Sequence, residues 1–311
     1  MTCFHPLSAW ISKDLNPVTG KHFLCFSDPC DSSRFDYINL PCGKCIGCRL
    51  NYSRQWALRC MHESKLHSEN CFVTFTYNDD NVRWSAVTGE QTLFKRDLQL
   101  FWKRLRKALF PIKFRYFACG EYGDTTNRPH YHAIIFGYDF KDKVLYSVSP
   151  TGFPLYTSKF LDDVWSLGQC KIADVSFDSC AYVARYVMKK VSGDDAKLKY
   201  QGIQKEFTVM SRRPGIGRDF YEKYKSDFYP YDRAIIIDDR GSRQLKPPRY
   251  YDNLYDLENP VEFKKIKDRR IAQAKLHEDE YSQAGRLEAM EKFKLSQTKG
   301  LKRRYGNYES L

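Results

Sequence analysis

Two histidines separated by one residue are the first sign of chemistry in this sequence. His130 and His132 lie in the run His130–Phe136, whose β-branched and aromatic residues predict a strand. Side chains two apart in a strand point to the same face, so both imidazoles project together. The pair can bind a metal, although two histidines on one strand face are also common without one.

A carboxylate precedes the histidine pair. Glu121 follows the apolar run 113–119, and turn-forming residues such as Gly123 and Asn127 separate it from the histidines. A turn there would place the two strands side by side, with Glu121 within reach of both imidazoles. Two histidines and one carboxylate make a three-ligand metal site with a position open for substrate.

A second group of reactive side chains follows in the run Cys180–Lys190, whose composition favours a helix. Tyr182 and Tyr186 are four residues apart, so a helix places both phenols on one face, with Lys189 on the same side. Phenols have an unperturbed pKa of about 10, and they act as nucleophiles when a cation and a metal assist. Ordinary packing is the alternative, since the chain has 22 tyrosines.

The order of these motifs resembles the HUH endonucleases, which start rolling-circle replication. Residues Phe72–Tyr77 resemble the first-motif strand of that family, and the Tyr182 and Tyr186 pair resembles its two-tyrosine branch. More narrowly, the chain resembles the replication initiators of gokushoviruses, within the Microviridae. That resemblance covers most of residues 1–230 and also rests on Met1–Pro6, Pro41–Cys48 and Arg213–Gly217.

The resemblance implies a site-specific nickase and strand transferase. One tyrosine would cut single-stranded origin DNA, forming a 5′-phosphotyrosine link and a free 3′-OH, and the second would cut after one round so that the ends rejoin. Lys189 would stabilise the negative charge, and Glu121 would be the third metal ligand. Mg²⁺ or Mn²⁺ is implied by the family, although imidazole ligands alone suit zinc or manganese better.

Composition agrees with a nucleic-acid partner. The chain has 51 Lys and Arg against 38 Asp and Glu, a formal charge of +13, which favours polyanion binding. An aromatic fraction of 15% suits stacking of bases on rings. The candidate DNA contacts are Lys103, Arg104, Lys107, Arg128, Arg185, Arg212 and Arg213. Those between 103 and 107 would equally form the solvated face of a helix.

Eleven cysteines need a separate explanation, because disulfides are not expected in a reducing cytosol. Cys42, Cys45 and Cys48 recur every three residues among glycines, a spacing typical of tetrahedral thiolate binding to structural Zn²⁺. The fourth ligand is open among Cys3, His5, Cys25, Cys30 and Cys60. Cys3 or His5 is preferred. An iron–sulfur centre and free thiols are the alternatives.

The remaining pattern predicts an α+β fold. Strands are predicted at 71–77, 113–119, 130–136, 170–177 and 234–237, and helices at 50–67, 94–109, 160–166, 180–190 and 219–228. The resemblance implies an HUH-like antiparallel sheet of about five strands with packed helices and the histidine pair at its centre. Residues 1–48 are predicted to be irregular, 138–158 to be a loop, and Asp178 or Ser179 to cap the tyrosine helix.

Three regions are predicted: a cysteine-rich segment and helix at 1–70, an HUH catalytic domain at 71–232, and a basic helical region at 233–311. The last region either grips DNA or a partner, or is a solvated tail. No apolar run is long enough for a membrane span, and no phosphate-binding loop motif indicates a built-in helicase. The expected partners are single-stranded and replicative-form viral DNA, a host helicase and a host DNA polymerase, in the host bacterial cytoplasm.

Two other functions fit parts of this pattern. A non-enzymatic, zinc-containing protein that binds single-stranded nucleic acid explains the cysteines, charge and aromatics, but it leaves the histidine and tyrosine motifs as a coincidence. A nuclease that activates water explains the metal site and leaves the tyrosines as packing residues. A covalent protein–DNA adduct would separate the nickase from both.

Overall fold

A computed structural model describes residues 3–18, 22–29, 31–123, 126–149, 152–189, 198–238, 241–276 and 285–305, with only the backbone described at 185–189, 238 and 299–305. The chain forms two compact units. The first comprises residues 1–51 and 272–299, and the second comprises residues 52–271 and 300–311. Of the helices that the structure describes, none has the length and apolar composition needed to cross a membrane.

A three-stranded antiparallel sheet lies in the first unit. Strand β1 (Leu7–Leu15) is flanked by β2 (His22–Cys25) and β3 (Phe35–Leu40). The prediction that residues 1–48 are irregular is therefore wrong. Most side chains of these strands are exposed or half-buried, so the sequence lacks the apolar alternation that identifies a half-buried strand.

The second unit is built on a larger antiparallel sheet, of seven strands among the described residues, in the order β10-β5-β6-β4-β9-β8-β7. Its strands are β4 (Asn70–Thr76), β5 (Arg115–Tyr122), β6 (Pro129–Phe136), β7 (Val144–Val148), β8 (Pro154–Thr157), β9 (Cys170–Ala173) and β10 (Phe207–Met210). The α+β class is confirmed, but the sheet exceeds the expected five or so strands. Strands β7 and β8 lie in the predicted loop 138–158, where β7 is largely exposed and carries no alternating pattern.

The helices follow the predicted ones closely. They are α1 (Ile46–Ser64), α2 (Lys95–Ala108), α3 (Lys159–Trp165), α4 (Phe177–Lys189), α5 (Arg218–Phe228), α6 (Arg249–Glu258), α7 (Pro260–Lys275) and α8 (Arg286–Tyr305). A two-stranded hairpin, β11 (Ala234–Asp238) and β12 (Gly241–Leu245), precedes α6. The basic region after 233 is therefore helical with a short hairpin at its start.

Alternation along the central strands divides the second unit into two layers of core. One face of the sheet packs against α2 and α3 through Val73, Phe75, Tyr131, Ile135, Phe101, Trp102 and Trp165. The other face packs against α1 and α4 through Phe72, Phe117, Ile134, Ala57, Cys180 and Val183. Since His130 and His132 have the same parity as Ile134, they belong to the face covered by α4.

Helix α4 begins earlier than predicted because its cap is Ser176, with Ser179 as a reciprocal partner. The Ser179 amide donates to Ser176 Oγ at 3.1 Å, and the Ser176 amide donates to Ser179 Oγ at 2.8 Å. This capping box satisfies two amides that have no partner within the helix. It sets the start of α4 at Phe177, so Tyr182 falls in the second turn.

A buried histidine stabilises the junction of α1, α5 and α6. His62 stacks on Phe220 with ring centroids 4.1 Å apart, and its Nδ1 lies 3.0 Å from the Tyr251 hydroxyl. Burial lowers the pKa of His62 from 6.5 to about 3. The imidazole is therefore neutral in the folded protein at neutral pH.

Acid should destabilise the protein through His62. Between pH 6.5 and 3 the unfolded chain holds a proton on His62 that the folded chain lacks, so stability falls as the pH drops through this window. The contribution is up to about 1.4 kcal/mol per pH unit. In urea denaturation at pH 7, 6 and 5, His62→Phe should flatten the dependence of unfolding free energy on pH. The exposed His22→Phe should keep it, and equal slopes in wild type and His62→Phe would contradict the assignment.

Candidate active site

The pairing of β5 with β6 brings three metal-binding side chains together. Glu121 lies opposite His130 in the antiparallel register, and His132 follows on the same face. Glu121 Oε1 is 2.7 Å from His130 Nε2 and 2.9 Å from His132 Nε2. The ligand atoms lie within 4.8 Å of one another, and all three residues are buried. We call Glu121, His130 and His132 the triad.

Hydrogen bonds at the opposite ring nitrogens orient both imidazoles. His130 Nδ1 donates to the Arg128 carbonyl oxygen at 3.0 Å, because a carbonyl can only accept. His132 Nδ1 lies 2.9 Å from Thr74 Oγ1, on the neighbouring strand β4. A proton on each Nδ1 leaves the Nε2 lone pairs directed at the centre of the triad, which is the arrangement that metal-binding histidines need.

The charge of the triad favours a cation. Burial opposes ionisation of Glu121, but the charges and hydrogen bonds of His130 and His132 outweigh it and lower the pKa of Glu121 to about 2. The carboxylate is therefore ionised at neutral pH. A buried carboxylate beside two nitrogen donors fits a divalent ion such as Mn²⁺ or Zn²⁺, and Mg²⁺ less well.

The residue between the two histidines is fixed from the other face of the sheet. The Tyr131 hydroxyl is 2.7 Å from the Tyr77 hydroxyl and accepts from the Phe94 amide at 3.0 Å. Tyr77 donates to Asp97 at 2.7 Å, and Asp97 accepts two bonds of 2.8 Å from Arg83. This buried network holds the centre of β6 rigidly, so the two imidazoles have little freedom to move.

Helix α4 places one predicted tyrosine beside the triad. The Tyr182 ring meets His132 edge-on with centroids 5.1 Å apart, and it also contacts Phe72 at 6.2 Å. The helical backbone continues through Tyr186, one turn later, and through Lys189. The side chains of Arg185, Tyr186 and Lys189 lie outside the part of the structure that is described.

Two clefts open next to Tyr182 and Thr74. The first, with about 460 Å³ of open space, is lined by Phe72, Phe153, Pro154, Ala173, Asp174, Ser176, Asp178, Ser179 and Tyr182. The second, with about 430 Å³, is lined by Phe72, Thr74, Thr76, Leu155, Gln169, Lys171 and Ala173. Their walls combine apolar rings with hydroxyl and charged groups, as a site for a nucleotide requires.

Sequence reasoning missed a cation on this face. Lys171 of β9 is the register partner of Thr74, which in turn pairs with His132, so all three project to the same side of the sheet. Its ammonium lies 3.1 Å from the centre of the Tyr146 ring. Thr74 and Lys171 carry no motif of their own, and only the lateral order of strands β6, β4 and β9 reveals them.

The predicted DNA contacts on α2 lie away from the triad. Lys103 and Lys107 are exposed, but α2 covers the opposite face of the sheet. Arg104 donates to the carbonyls of Val164 and Trp165 at 2.8 Å each, so it holds the end of α3. This cationic stripe is not part of the site.

The other predicted contacts are more widely placed. The Arg128 guanidinium donates to the Tyr77 carbonyl at 2.8 Å and pairs with Asp79 at 2.8 Å, next to His130 in the chain. Arg212 and Arg213 are exposed in the turn between β10 and α5. Arg128 is thus the one of these three that is adjacent to a triad residue in sequence.

The cysteines form a second group of metal-binding type in the first unit. The sulfurs of Cys3, Cys42, Cys45 and Cys48 lie within 4.8 Å of one another. Burial opposes ionisation of Cys42, but amide hydrogen bonds from Cys45 and Lys44 outweigh it and lower its pKa to about 7. Of the residues considered as fourth ligand, Cys3 joins the group, and Cys30 lies outside the described residues.

The fold and the site define an α+β protein in which a buried acid and two histidines lie under a tyrosine-bearing helix. Residues 70–191, which span β4 to α4, match the family model of the replication-associated protein ORF2. No solved structure matches the chain.

Curated relatives give the same result over most of the chain. Replication-associated protein VP4 of Bdellovibrio phage phiMH2K is 32% identical over 296 residues, 90% of this chain and 87% of the relative. Replication-associated protein ORF2 of Spiroplasma virus 4 is 32% identical over 288 residues, 88% of this chain and 87% of the relative. Replication-associated protein ORF4 of Chlamydia phage 1 is 29% identical over 223 residues, 69% and 53%. The chain belongs to this family of phage replication-associated proteins, and it is a replication initiator of the Microviridae type.

Removing the hydroxyl that orients His132 should weaken metal binding. Thr74→Val keeps the shape of the side chain but leaves His132 Nδ1 without this partner, and loss of such a contact typically lowers metal affinity about 10- to 100-fold. Calorimetric titration with Mn²⁺ measures the change. Thr76→Val, on the same strand and face, removes a hydroxyl bonded to the Gln169 carbonyl and should leave affinity unchanged. Equal effects of both substitutions would contradict a specific role for Thr74.

Proposed function

We propose that this protein starts rolling-circle replication by nicking and rejoining viral DNA through a tyrosine. The observation that carries the proposal is the position of Tyr182, whose ring lies edge-on to His132 beside the triad. A nucleophile-bearing helix against a metal-binding sheet face is the arrangement that phosphodiester transfer to tyrosine requires. The family membership supports the same chemistry.

Glu121, His130 and His132 would hold one divalent ion, Mg²⁺ or Mn²⁺. When bound there, the ion acts as a Lewis acid on an oxygen of the scissile phosphate. The mixed nitrogen and oxygen donors make Mn²⁺ the better fit of the two. The part played by the chain is to orient these donors, through the Arg128 carbonyl and Thr74, and to exclude water from the triad by burial.

In the first transfer, Tyr182 or Tyr186 attacks the scissile phosphorus. A bond forms between the phenol oxygen and phosphorus, the bond from phosphorus to the 3′ oxygen breaks, and that oxygen leaves as the 3′-OH with the proton that the phenol gave up. Lys189, one turn further along the same helix, would offset the negative charge that develops. The 3′-OH then serves a host polymerase as primer.

Two tyrosines on successive turns of α4 allow the reaction to finish within one molecule. After one round of synthesis the second tyrosine cuts the regenerated origin, and the new 3′-OH attacks the first phosphotyrosine. That attack restores the phenol and closes the circle. The number of phosphodiester and phosphotyrosine bonds is conserved in each step, so no external energy source is needed.

The remaining regions would support this catalytic domain, which we assign to residues 71–232. The cysteine-rich segment within 1–70 would bind structural zinc, apart from the chemistry, and the basic region 233–311 would grip DNA. Substrates would be single-stranded and replicative-form viral DNA in the host bacterial cytoplasm, unwound by a host helicase. DNA contacts near the site would come from Arg128, Lys171 and Arg185, with Arg212 and Arg213 further along the strand.

Covalent capture distinguishes this mechanism from its rivals. Labelled single-stranded origin DNA incubated with the protein and Mn²⁺ should form an adduct that survives denaturing electrophoresis. Tyr182→Phe with Tyr186→Phe should reduce the adduct at least about 1,000-fold, because removing a nucleophile leaves only the uncatalysed background. Tyr231→Phe, an exposed tyrosine, is the matched control. Cleavage without an adduct would instead favour a nuclease that activates water, and DNA binding without either would favour a non-enzymatic protein.

The face of the sheet that meets DNA can be tested with two lysines. Lys171 lies on the triad face and Lys103 on the opposite side, so only Lys171→Gln should weaken binding of single-stranded DNA. Loss of one phosphate contact should reduce the slope of log affinity against log salt by about 0.7. Fluorescence anisotropy between low and moderate salt measures this slope. A reduced slope for Lys103→Gln alone would place the DNA on the α2 face and contradict the proposal.

A further inference from the structure

We propose that Cys3, Cys42, Cys45 and Cys48 bind a single zinc ion, and that this ion fixes the surface on which the C-terminal helix α8 docks. The site lies wholly in the first unit and is separate from the triad in composition and chemistry. It goes beyond the nicking reaction, because it concerns how the two ends of the chain are held together.

Distances between the sulfurs fit one tetrahedral ion. Zinc with four thiolates at about 2.3 Å holds the sulfurs about 3.8 Å apart. The sulfurs of Cys3 and Cys45 are 3.9 Å apart, and all four lie within 4.8 Å of one another. A disulfide needs a separation of about 2.05 Å, so the cysteines are not paired. A four-iron cluster would hold its thiolates further apart than this.

Backbone amides are already directed at the sulfurs. The amides of Lys44 and Cys45 point at Cys42 Sγ at 3.4 and 3.3 Å. The amide of Cys42 points at Cys3 Sγ at 3.2 Å. Four thiolates around a divalent ion carry excess negative charge, which such N–H donors offset. Gly43 adopts a positive φ of 73°, which lets the chain form this tight knuckle.

The rest of the first unit has little else to hold it together. Its buried apolar cluster consists of Cys3, Phe4, Cys45 and Cys48. In the sheet, Ala9 is the one buried residue of β1, and most of the remaining strand positions are exposed. Small units with so few buried apolar residues usually depend on a metal or on disulfides, and metal binding then contributes directly to folding.

Helix α8 rests on the cysteine cluster. Met290 packs against the cluster, and Glu291 Oε2 is 2.5 Å from His5 Nε2. His5 lies two residues after Cys3, so an ion that fixes Cys3 also fixes the partner of Glu291. Zinc would therefore order the docking surface for a helix that carries Lys292 and Lys294 on neighbouring positions. Without the ion, we expect α8 to separate from the N-terminal segment.

The full-length protein tests this inference without DNA. Elemental analysis of the purified chain should find one zinc per molecule. Chelation should raise hydrogen exchange of residues 286–298 at least tenfold, while the amides of α6 in the second unit stay protected. Added zinc should reverse the change. Less than a tenth of an equivalent of zinc, iron in its place, or exchange in 286–298 that ignores the chelator would overturn the proposal.

Two variants separate the ion from the helix contact. Cys42→Ser should lose zinc and expose residues 286–298, whereas Cys25→Ser, a half-buried cysteine of the same unit outside the cluster, should do neither. Glu291→Gln should keep the zinc and loosen α8 alone. Equal zinc loss in Cys42→Ser and Cys25→Ser would contradict the site, and loss of zinc in Glu291→Gln would contradict the order of dependence. Adduct formation with DNA is scored separately, so failure of one account leaves the other testable.

Discussion

The site depends on the antiparallel register of β5 and β6, which places Glu121 opposite His130. A slip of one residue would turn Glu121 to the other face of the sheet, away from both imidazoles. The register is secured from behind by Tyr131, whose hydroxyl is bonded to Tyr77 and Phe94. Gly120 contributes through its size, since a Cβ there would lie 3.0 Å from the rings of Phe207 and Tyr131. A network without catalytic groups thus sets the geometry of the catalytic face.

The two faces of this sheet have divided roles. The face under α2 is a packed aromatic core, and its cations either point to solvent or, like Arg104, bind backbone carbonyls. The face under α4 carries the triad, Thr74 and Lys171, with Tyr182 above them. Because alternate residues of the same strands serve both faces, changes in the core of one are expected to alter metal binding on the other. The proposed chemistry needs this rigidity, since a tyrosine must meet phosphorus in line with its leaving group.

The sequence alone was sufficient for features that repeat along one element. His130 and His132 share a strand face, and Tyr182 and Tyr186 share a helix face, so periodicity identifies both pairs. Thr74 and Lys171 depend on lateral pairing between strands that are distant in sequence, which periodicity cannot supply. Cys3 could only be one of several candidates, because a knuckle does not specify its distant fourth ligand. The sheet β1–β3 and strand β7 were missed because exposed strands lack an apolar pattern.

The central claim is that a tyrosine of α4 becomes the covalent partner of DNA under the control of the triad. The most direct measurement is to form the adduct with wild-type protein, digest it with trypsin and nuclease, and locate the nucleotide by tandem mass spectrometry. The account predicts a nucleotide on Tyr182 or Tyr186, a free 3′-OH on the released strand, and no adduct with Glu121→Gln. A nucleotide on any other residue, or cut DNA with a free 5′-phosphate and unmodified tyrosines, would contradict it.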